Sequence, residues 1–370
     1  MPFLSLTLNN FRNLKNESIN LSDKEIFFCG QNGQGKSNLL EALYYSSYAS
    51  SFRTHNENEI IKNGENSFNV RSLYSEENGV THSTSISVLK NEKLSKKIEK
   101  DGKYIKDRKE LINTMPCILY SHDDMDFVIG EPEKRRFFID QSLSMYDVLY
   151  IDLMRKYKRI LKNRNICLKN EDYNLLETYN YQLALNGLEI QDKRKKAIFY
   201  FNQIFGKIYE EITGIDGVSI KYLPSWHNEE NLPNLDFVID NIKSKFEAER
   251  VMKTTISGPH RDRIFFVRKN ENFVPKASTG QRRLLALLLR NSQAIYYNQI
   301  SGKKPVLLMD DVLLELDPEK RKNITEKLPP YDQLICTFLP EEPYQRYINS
   351  STKVFKIENG EWSLLDERTI

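Results

Sequence analysis

Gly30-Gln31-Asn32-Gly33-Gln34-Gly35-Lys36-Ser37 satisfies every fixed position of the phosphate-cradling pattern G-x-x-x-x-G-K-[ST]. The apolar run Ile26-Phe27-Phe28-Cys29 enters this stretch like a buried strand, and Leu39, Leu40, Ala42 and Leu43 leave it with helical spacing. Strand, glycine loop and helix, in that order, form the context such chemistry requires. Glycines let successive backbone N–H groups turn toward one anion, and the helix start adds the positive end of its dipole. Lys36 supplies a mobile cation, and the Ser37 hydroxyl can ligate Mg²⁺. The stretch predicts a nucleotide site in an α/β fold.

Length and composition bound what surrounds it. A chain of 370 residues buries a large core and is expected to fold as about two or three lobes. Charged residues make up 28% against 39% hydrophobic, and no apolar run approaches the length of about 18 residues that a membrane span needs. The start, Met1-Pro2-Phe3-Leu4-Ser5, lacks a basic region before an apolar core, so no secretory signal is expected. Cys29, Cys117, Cys167 and Cys336 lie far apart, three of them in apolar strand-like runs. They read as reduced core residues of a cytoplasmic protein, without metal-ligand spacing. The formal charge of +3 selects no partner, so a basic surface has to be found locally.

Outward from the glycine loop, residues 4–8 alternate as a strand, and Asn10-Phe11-Arg12-Asn13 occupies the turn after it, near where a nucleotide base would emerge. Asn78-Gly79 and Asp101-Gly102 are tight-turn signals between β-prone runs such as 84–89 and 103–105, which predicts an antiparallel lobe. Cys117-Ile118-Leu119-Tyr120 is a buried strand followed at once by Ser121-His122-Asp123-Asp124. From Pro132 to about 250 the pattern turns helical, with turn signals at Asn186-Gly187 and at 214–217. Tyr150, Leu153, Tyr157, Ile160 and Cys167 recur at three- and four-residue steps, broken by Arg164, as in a paired-helix seam. Opposite them, Arg155, Lys158, Arg159, Lys162 and Lys169 share one arc at 100° per residue, with no acid between 155 and 169. That face reads equally as a solvated surface or as a phosphate-binding stripe.

Nearer the C-terminus, Ser278-Thr279-Gly280-Gln281 opens a helix continued by Leu284, Leu285, Leu287 and Leu288, with Ser278 suited to cap it. It is a second anion-binding helix start. Pro305-Val306-Leu307-Leu308-Met309-Asp310-Asp311 is a buried strand ending in two carboxylates, followed by Leu316-Asp317-Pro318. Asp310 is expected to hold the Mg²⁺ shell and Asp311 to polarise an attacking water. Residues 334–338 give another strand, and 354–362, centred on Asn359-Gly360, a closing hairpin. Lys36 and Asp310 stand at opposite ends of the chain yet must meet at one Mg²⁺–ATP, so the helical region is looped out of a single ATPase head. The expected division is 1–130 for the N-terminal part of the head with its β lobe, 131–250 for a helical insertion, and 251–370 for the C-terminal part. Two anion sites on one chain predict a head-to-tail homodimer that sandwiches ATP between one subunit's glycine loop and the other's Ser278 helix.

End to end, the chain resembles the bacterial RecF family, ATPases of the ABC/SMC type that act in DNA repair. The resemblance is carried by Phe11-Arg12-Asn13, the glycine loop with Leu40-Glu41-Ala42, Ser51-Phe52-Arg53, Arg135-Arg136-Phe137, Gly258-Pro259-His260-Arg261-Asp262, Ser278 with Gly280-Gln281, and Leu308-Met309-Asp310-Asp311 with Glu315-Leu316-Asp317. It implies an ABC-type P-loop ATPase head with an antiparallel β lobe and a helical insertion. It further implies ATP-dependent dimerisation on double-stranded DNA near junctions with single strands, slow hydrolysis, and recombinase loading with RecR and RecO. Site residues carried over are Gly30, Gln31, Asn32, Gly33, Gln34, Gly35, Lys36, Ser37 and Asn38, with Arg12, for the nucleotide. Ser278, Gly280 and Gln281 form the signature helix, Ser37 and Asp310 hold Mg²⁺, and Asp311 with Lys36 carries catalysis. His122 or Asp123 has to stand in for a glutamine usual in the adjacent loop, and His260 is read as a packing residue. Thr337 replaces a switch histidine common in transporter ATPases. Departures are Arg263, where the family has a second acid, and Leu314, where it has a small polar residue. A transporter ATPase subunit, a metabolic P-loop kinase and a head that binds ATP without hydrolysing it are the rival readings.

Overall fold

The computed structural model describes residues 2–76, 78–112, 114–227, 233–312 and 318–365. Two compact units divide the chain, Met1–Asp123 with Tyr297–Ile370, and Asp124–Tyr296.

Two sheets build the first unit around one helix. Among the described residues the phosphate-loop sheet runs Glu361–Leu364, Thr352–Glu358, Glu25–Cys29, Gln333–Phe338, Val306–Met309, Cys117–Tyr120. All its pairings are parallel except the terminal hairpin. Parallel strands covered on both faces need unbroken apolar runs, and CILY, VLLM and QLICTF are buried at every position. The second sheet, Ser18–Asn20, Phe3–Asn9, Ser67–Ser75, Thr81–Lys90, Leu94–Lys100, Lys103–Tyr104, is antiparallel. Its turns use the expected left-handed residues Gly79, Asp101 and Gly102. The helix Lys36–Tyr48 touches both sheets. Its Leu39, Leu40 and Leu43 join one core with Phe68, Val70, Ile86 and Val88 of the antiparallel sheet and Ile26 and Phe28 of the parallel one.

The second unit holds the helices Pro132–Ser144, Val148–Asn170, Leu176–Thr213, Leu235–Ser244 and Phe246–Met252, and most of Thr279–Ser301. Pro132 is the first helical residue, where its missing N–H is harmless. Tyr150, Leu153, Tyr157 and Ile160 are buried as the seam predicts. Arg164, which interrupts that seam, is fully buried and ends on Glu249 Oε2 at 2.6 Å, Thr255 Oγ1 at 2.7 Å and Asn180 Oδ1 at 2.8 Å.

Two features depart from the sequence reading. Asn186-Gly187 is not a turn, because helix Leu176–Thr213 runs straight through it. Gly187 is there for packing: a Cβ would meet the Trp226 ring at 2.5 Å and Pro259 Cδ at 3.1 Å. The region read as helical also contains the strand Val218–Leu223, whose antiparallel partner Arg263–Arg268 lies far along the chain. That pairing holds 263–268 in the second unit, so the expected boundary at 250/251 falls inside it.

This unit also holds a largely buried ion cluster. Arg194 bridges Asp140, with contacts of 2.8 and 2.9 Å, and Asp262 at 2.8 Å. Asp262 Oδ2 also accepts from Tyr222 at 2.5 Å, and Oδ1 from Gln191 at 2.7 Å and the Ser225 N–H at 2.7 Å. His260 accepts at Nδ1 from the Tyr157 hydroxyl at 2.8 Å and donates from Nε2 to Thr255 O at 3.1 Å. Burial pushes its pKa down to about 4, so it is neutral and packs as expected.

Candidate nucleotide-binding site

Gly35, at φ 117°, caps the helix Lys36–Tyr48 without a side-chain acceptor, and the first turn carries no acid. The helix start therefore offers its backbone N–H groups and dipole to an outside anion. Gln31, Asn32 and Gly33 are exposed above it, and the space beside Gly33, at φ 80°, is open. Lys36 is buried, its Nζ donating to Gly30 O at 2.8 Å and Gln31 O at 3.3 Å. Both acceptors are neutral carbonyls of the loop itself.

The Ser37 hydroxyl donates to Asp310 Oδ1 at 2.8 Å across 273 positions of sequence. Asp310 follows strand Val306–Met309, which is one strand removed from Glu25–Cys29 in the sheet, with Gln333–Phe338 between them. Burial first, and then the neighbouring Asp311 charge, raise the Asp310 pKa above the usual carboxylate range. A hydroxyl and a partly buried carboxylate meeting at one point are the hard oxygen donors that Mg²⁺ takes, and a cation there would offset the desolvation of that charge, so the pair fits the ion.

Asp311 adopts φ 53°, a left-handed backbone that a non-glycine residue keeps only where its surroundings impose it. Thr337 imposes it. The Thr337 hydroxyl accepts from the Asp311 N–H at 2.8 Å and donates to Asp311 Oδ1 at 2.7 Å. Its place follows from the pairing of Met309 with Cys336, which sets Thr337 opposite the strand end. Thr337 thus orients the second carboxylate.

Three separate sequence motifs prove to be one cluster beneath the loop. Glu41 is fully buried and accepts a forked pair from Arg12, Nε at 3.0 Å and Nη2 at 2.8 Å, and the Ser51 hydroxyl at 2.6 Å. Arg12 also donates to Glu59 O at 2.6 Å. Asn38 links this group to the first turn, donating to Asn13 Oδ1 at 2.7 Å and accepting from Arg53 at 2.6 Å. Arg12 and Asn38, both expected at the nucleotide, are held by this network, Arg12 on Glu41 and Asn38 between Asn13 and Arg53.

At the helix start expected to be a second anion site, Ser278 and Gln281 cap each other: Ser278 Oγ accepts from the Gln281 N–H at 3.3 Å, and Gln281 Oε1 from the Ser278 N–H at 2.8 Å. This reciprocal capping box fixes the start of helix Thr279–Ser301 and leaves the space beside Gly280 open. These residues belong to the second unit and the phosphate loop to the first. His122 and Asp123 are exposed on the turn after strand Cys117–Tyr120, whose neighbour is Val306–Met309. Leu314 and Glu315-Leu316-Asp317 lie outside the described residues. Sequence reasoning missed Glu342. Its side chain is 10% exposed, one oxygen accepts from the Leu339 N–H at 2.7 Å, and burial raises its pKa, with the Asp311 charge adding to the shift. No motif marks it, because it follows the last core strand in an irregular loop.

The profile of the RecF/RecN/SMC N-terminal domain family matches residues 3–363. The "DNA replication and repair protein RecF" of Treponema pallidum (strain Nichols) is 45% identical over 357 residues, covering 96% of this chain and 99% of that one. Its counterpart from Clostridium perfringens (strain SM101 / Type A) is 32% identical, covering 97% and 99%. A solved RecF–ATP structure, described as a recombination mediator of the RecFOR pathway, superposes with a TM-score of 0.89 at 27% identity, covering 99% of this chain and 98% of that one. An Smc head bound to part of ScpA shares the fold, with a TM-score of 0.57 at 13% identity. Matched over residues 3–363 by that profile and over nearly its whole length by curated RecF proteins, the chain belongs to the RecF family of ABC/SMC-type ATPases.

Proposed function

We propose that the chain binds ATP with Mg²⁺, joins head to tail into a homodimer on double-stranded DNA near junctions with single strands, hydrolyses ATP slowly, and assists recombinase loading with RecR and RecO in the cytoplasm. The Ser37–Asp310 contact at 2.8 Å carries this reading, since it gathers both halves of an ATP site from opposite ends of the chain. The relatives named for DNA repair, and the RecF solved with ATP, support the rest. Gly30 to Ser37 would cradle the phosphates, and Ser37 and Asp310 would hold the ion. When bound, Mg²⁺ offsets the charge on the phosphate oxygens. Asp311 would accept the proton of the water that attacks the terminal phosphate, with Thr337 holding the carboxylate in place. Ser278, Gly280 and Gln281 would close the site from the partner subunit. Unlike a P-loop kinase, such a head needs its nucleotide in order to dimerise.

Sedimentation with ATP, with ADP and without nucleotide, each with and without duplex DNA, tests this. The parent is expected to dimerise with ATP alone. Lys36→Ala loses a charge-assisted contact to the phosphates, so ATP affinity should fall about 10- to 100-fold and the dimer should be lost. A Lys36→Ala protein that still dimerises with ATP would refute the assignment of the loop.

Arg155, Lys158, Arg159, Lys162 and Lys169 are all exposed. Each phosphate contact on duplex DNA adds about −0.9 to the log–log salt slope of binding. Arg155→Ala/Lys158→Ala/Lys162→Ala should therefore weaken duplex binding regardless of base sequence and flatten the slope by about 1 to 3 units. Titrations at several salt concentrations decide it: an unaltered slope and affinity make the stripe a solvated face.

A further inference from the structure

The hairpin that closes the parallel sheet reaches back to the phosphate loop. Between strands Thr352–Glu358 and Glu361–Leu364, Asn359 has φ 51° and Gly360 φ 79°. Two successive left-handed residues make the primed turn that two-residue hairpins favour. Both N–H groups of that turn are used on one residue of the glycine loop: Asn359 donates to Gln34 Oε1 at 2.6 Å and Gly360 to Gln34 O at 2.8 Å. On its other side Gly360 O accepts from the Lys15 N–H at 2.9 Å, just past the turn that carries Arg12. Packing is equally tight. A Cβ on Gly360 would lie 2.1 Å from Asn13 O, and one on Gly30 would lie 2.4 Å from Ile357 O, in the hairpin's first strand. One on Gly35 would meet Gly360 Cα at 3.4 Å.

We propose that the Asn359-Gly360 turn is a positioning element of the nucleotide site, acting through Gln34. The argument rests on peptide planarity and on the nucleotide-binding reading above. The Gln34 carbonyl and the Gly35 N–H belong to one trans peptide and point in opposite directions. Holding the carbonyl on the Gly360 N–H therefore turns the Gly35 N–H away from the hairpin. The second contact, to Gln34 Oε1, stops the residue from rotating about its own backbone. A glycine-rich loop left alone samples many orientations, and fixing them beforehand removes that entropic cost from phosphate binding. Gly30 is a glycine because the hairpin backbone comes too close for a side chain, and Gly360 because the backbone of Asn13 does.

Four proteins test this: the parent, Gln34→Ala, Gly360→Ala and Ser363→Ala, the last an exposed position on the same hairpin. Each is measured for binding of fluorescent ATP with Mg²⁺, for ATPase KM and kcat, and for thermal unfolding without nucleotide. Gln34→Ala removes one neutral hydrogen bond, worth about a tenfold change in an equilibrium at most. ATP affinity should fall about five- to tenfold, with KM rising more than kcat falls and with the unfolding midpoint kept within about 2 °C. Gly360→Ala should lose more than tenfold, while Ser363→Ala should bind like the parent. Should Gly360→Ala fail to fold, Gln34→Ala still decides. Folded Gln34→Ala with the parent's ATP affinity overturns the proposal. A parent that binds no ATP overturns instead the nucleotide reading on which it rests.

Discussion

Asp311→Asn is expected to leave ATP binding within about twofold of the parent and to lower kcat by about 100- to 10,000-fold, the range a positioned general base contributes. The amide keeps the size of the side chain, and its oxygen can still accept from the Thr337 hydroxyl, now 2.7 Å from Asp311 Oδ1. What disappears is the carboxylate proposed to take the proton of the attacking water. Because binding persists while hydrolysis stops, the variant should accumulate as an ATP-bound dimer on DNA, whereas the parent dissociates. Single-turnover phosphate release and sedimentation with ATP measure the two halves of this expectation. Thr337→Val provides an independent check on geometry. It removes the hydroxyl that holds Asp311 in its left-handed backbone, and turnover should fall without loss of the carboxylate. Unchanged turnover in Asp311→Asn would move the base elsewhere, with Asp123 the next candidate.

Arg194→Met should destabilise the second unit by about 3 to 5 kcal/mol, the usual penalty when a buried ion pair loses one partner. Arg194 is 2% exposed and stands between Asp140 and Asp262, so its removal strands two carboxylates, one of them wholly buried. Asp262 already has its pKa raised by burial, with the Arg194 charge as the main opposing influence. Urea unfolding of the parent, Arg194→Met, Asp262→Asn and the double variant forms a cycle that isolates the pair. The double variant should recover part of the loss, because neutralising Asp262 removes a charge that has no cation left to face. Loss of less than about 1 kcal/mol in Arg194→Met would mean that water reaches the cluster.

Local signals carried much of this molecule. The glycine loop, with its apolar strand before and helically spaced apolar residues after, was legible as a phosphate-loop motif because each part needs only neighbours within a few residues. Ser278 with Gln281 is likewise a local device, and it forms the capping box that its spacing allows. Turns at Asn78-Gly79, Asp101-Gly102 and Asn359-Gly360 depend on residues that tolerate left-handed backbone, and they were legible for that reason. Asn186-Gly187 shows the limit: the same chemistry that signals a turn also suits a crowded helix face, and only Trp226 lying against it decided which. Strand Val218–Leu223 is not legible in the sequence because a strand is completed by its partner, here Arg263–Arg268, beyond the helices Leu235–Ser244 and Phe246–Met252.

Roles within the site divide along the same line. The sequence by itself determined which residues have the right chemistry: Lys36 as cation, Ser37 and Asp310 as oxygen donors, Asp311 as the acid beyond the strand. Tertiary structure alone decided who holds them. The sheet order placed Gln333–Phe338 between the two site strands, and that register put Thr337 on Asp311. It gathered Arg12, Ser51 and Arg53 on Glu41, turning three separated motifs into one wall, and it folded the Asn359-Gly360 turn onto Gln34. Hydrogen bonds between residues on different elements, from 10 to 325 positions apart, leave no periodicity in the chain, because periodicity records only which side of its own strand or helix a residue faces.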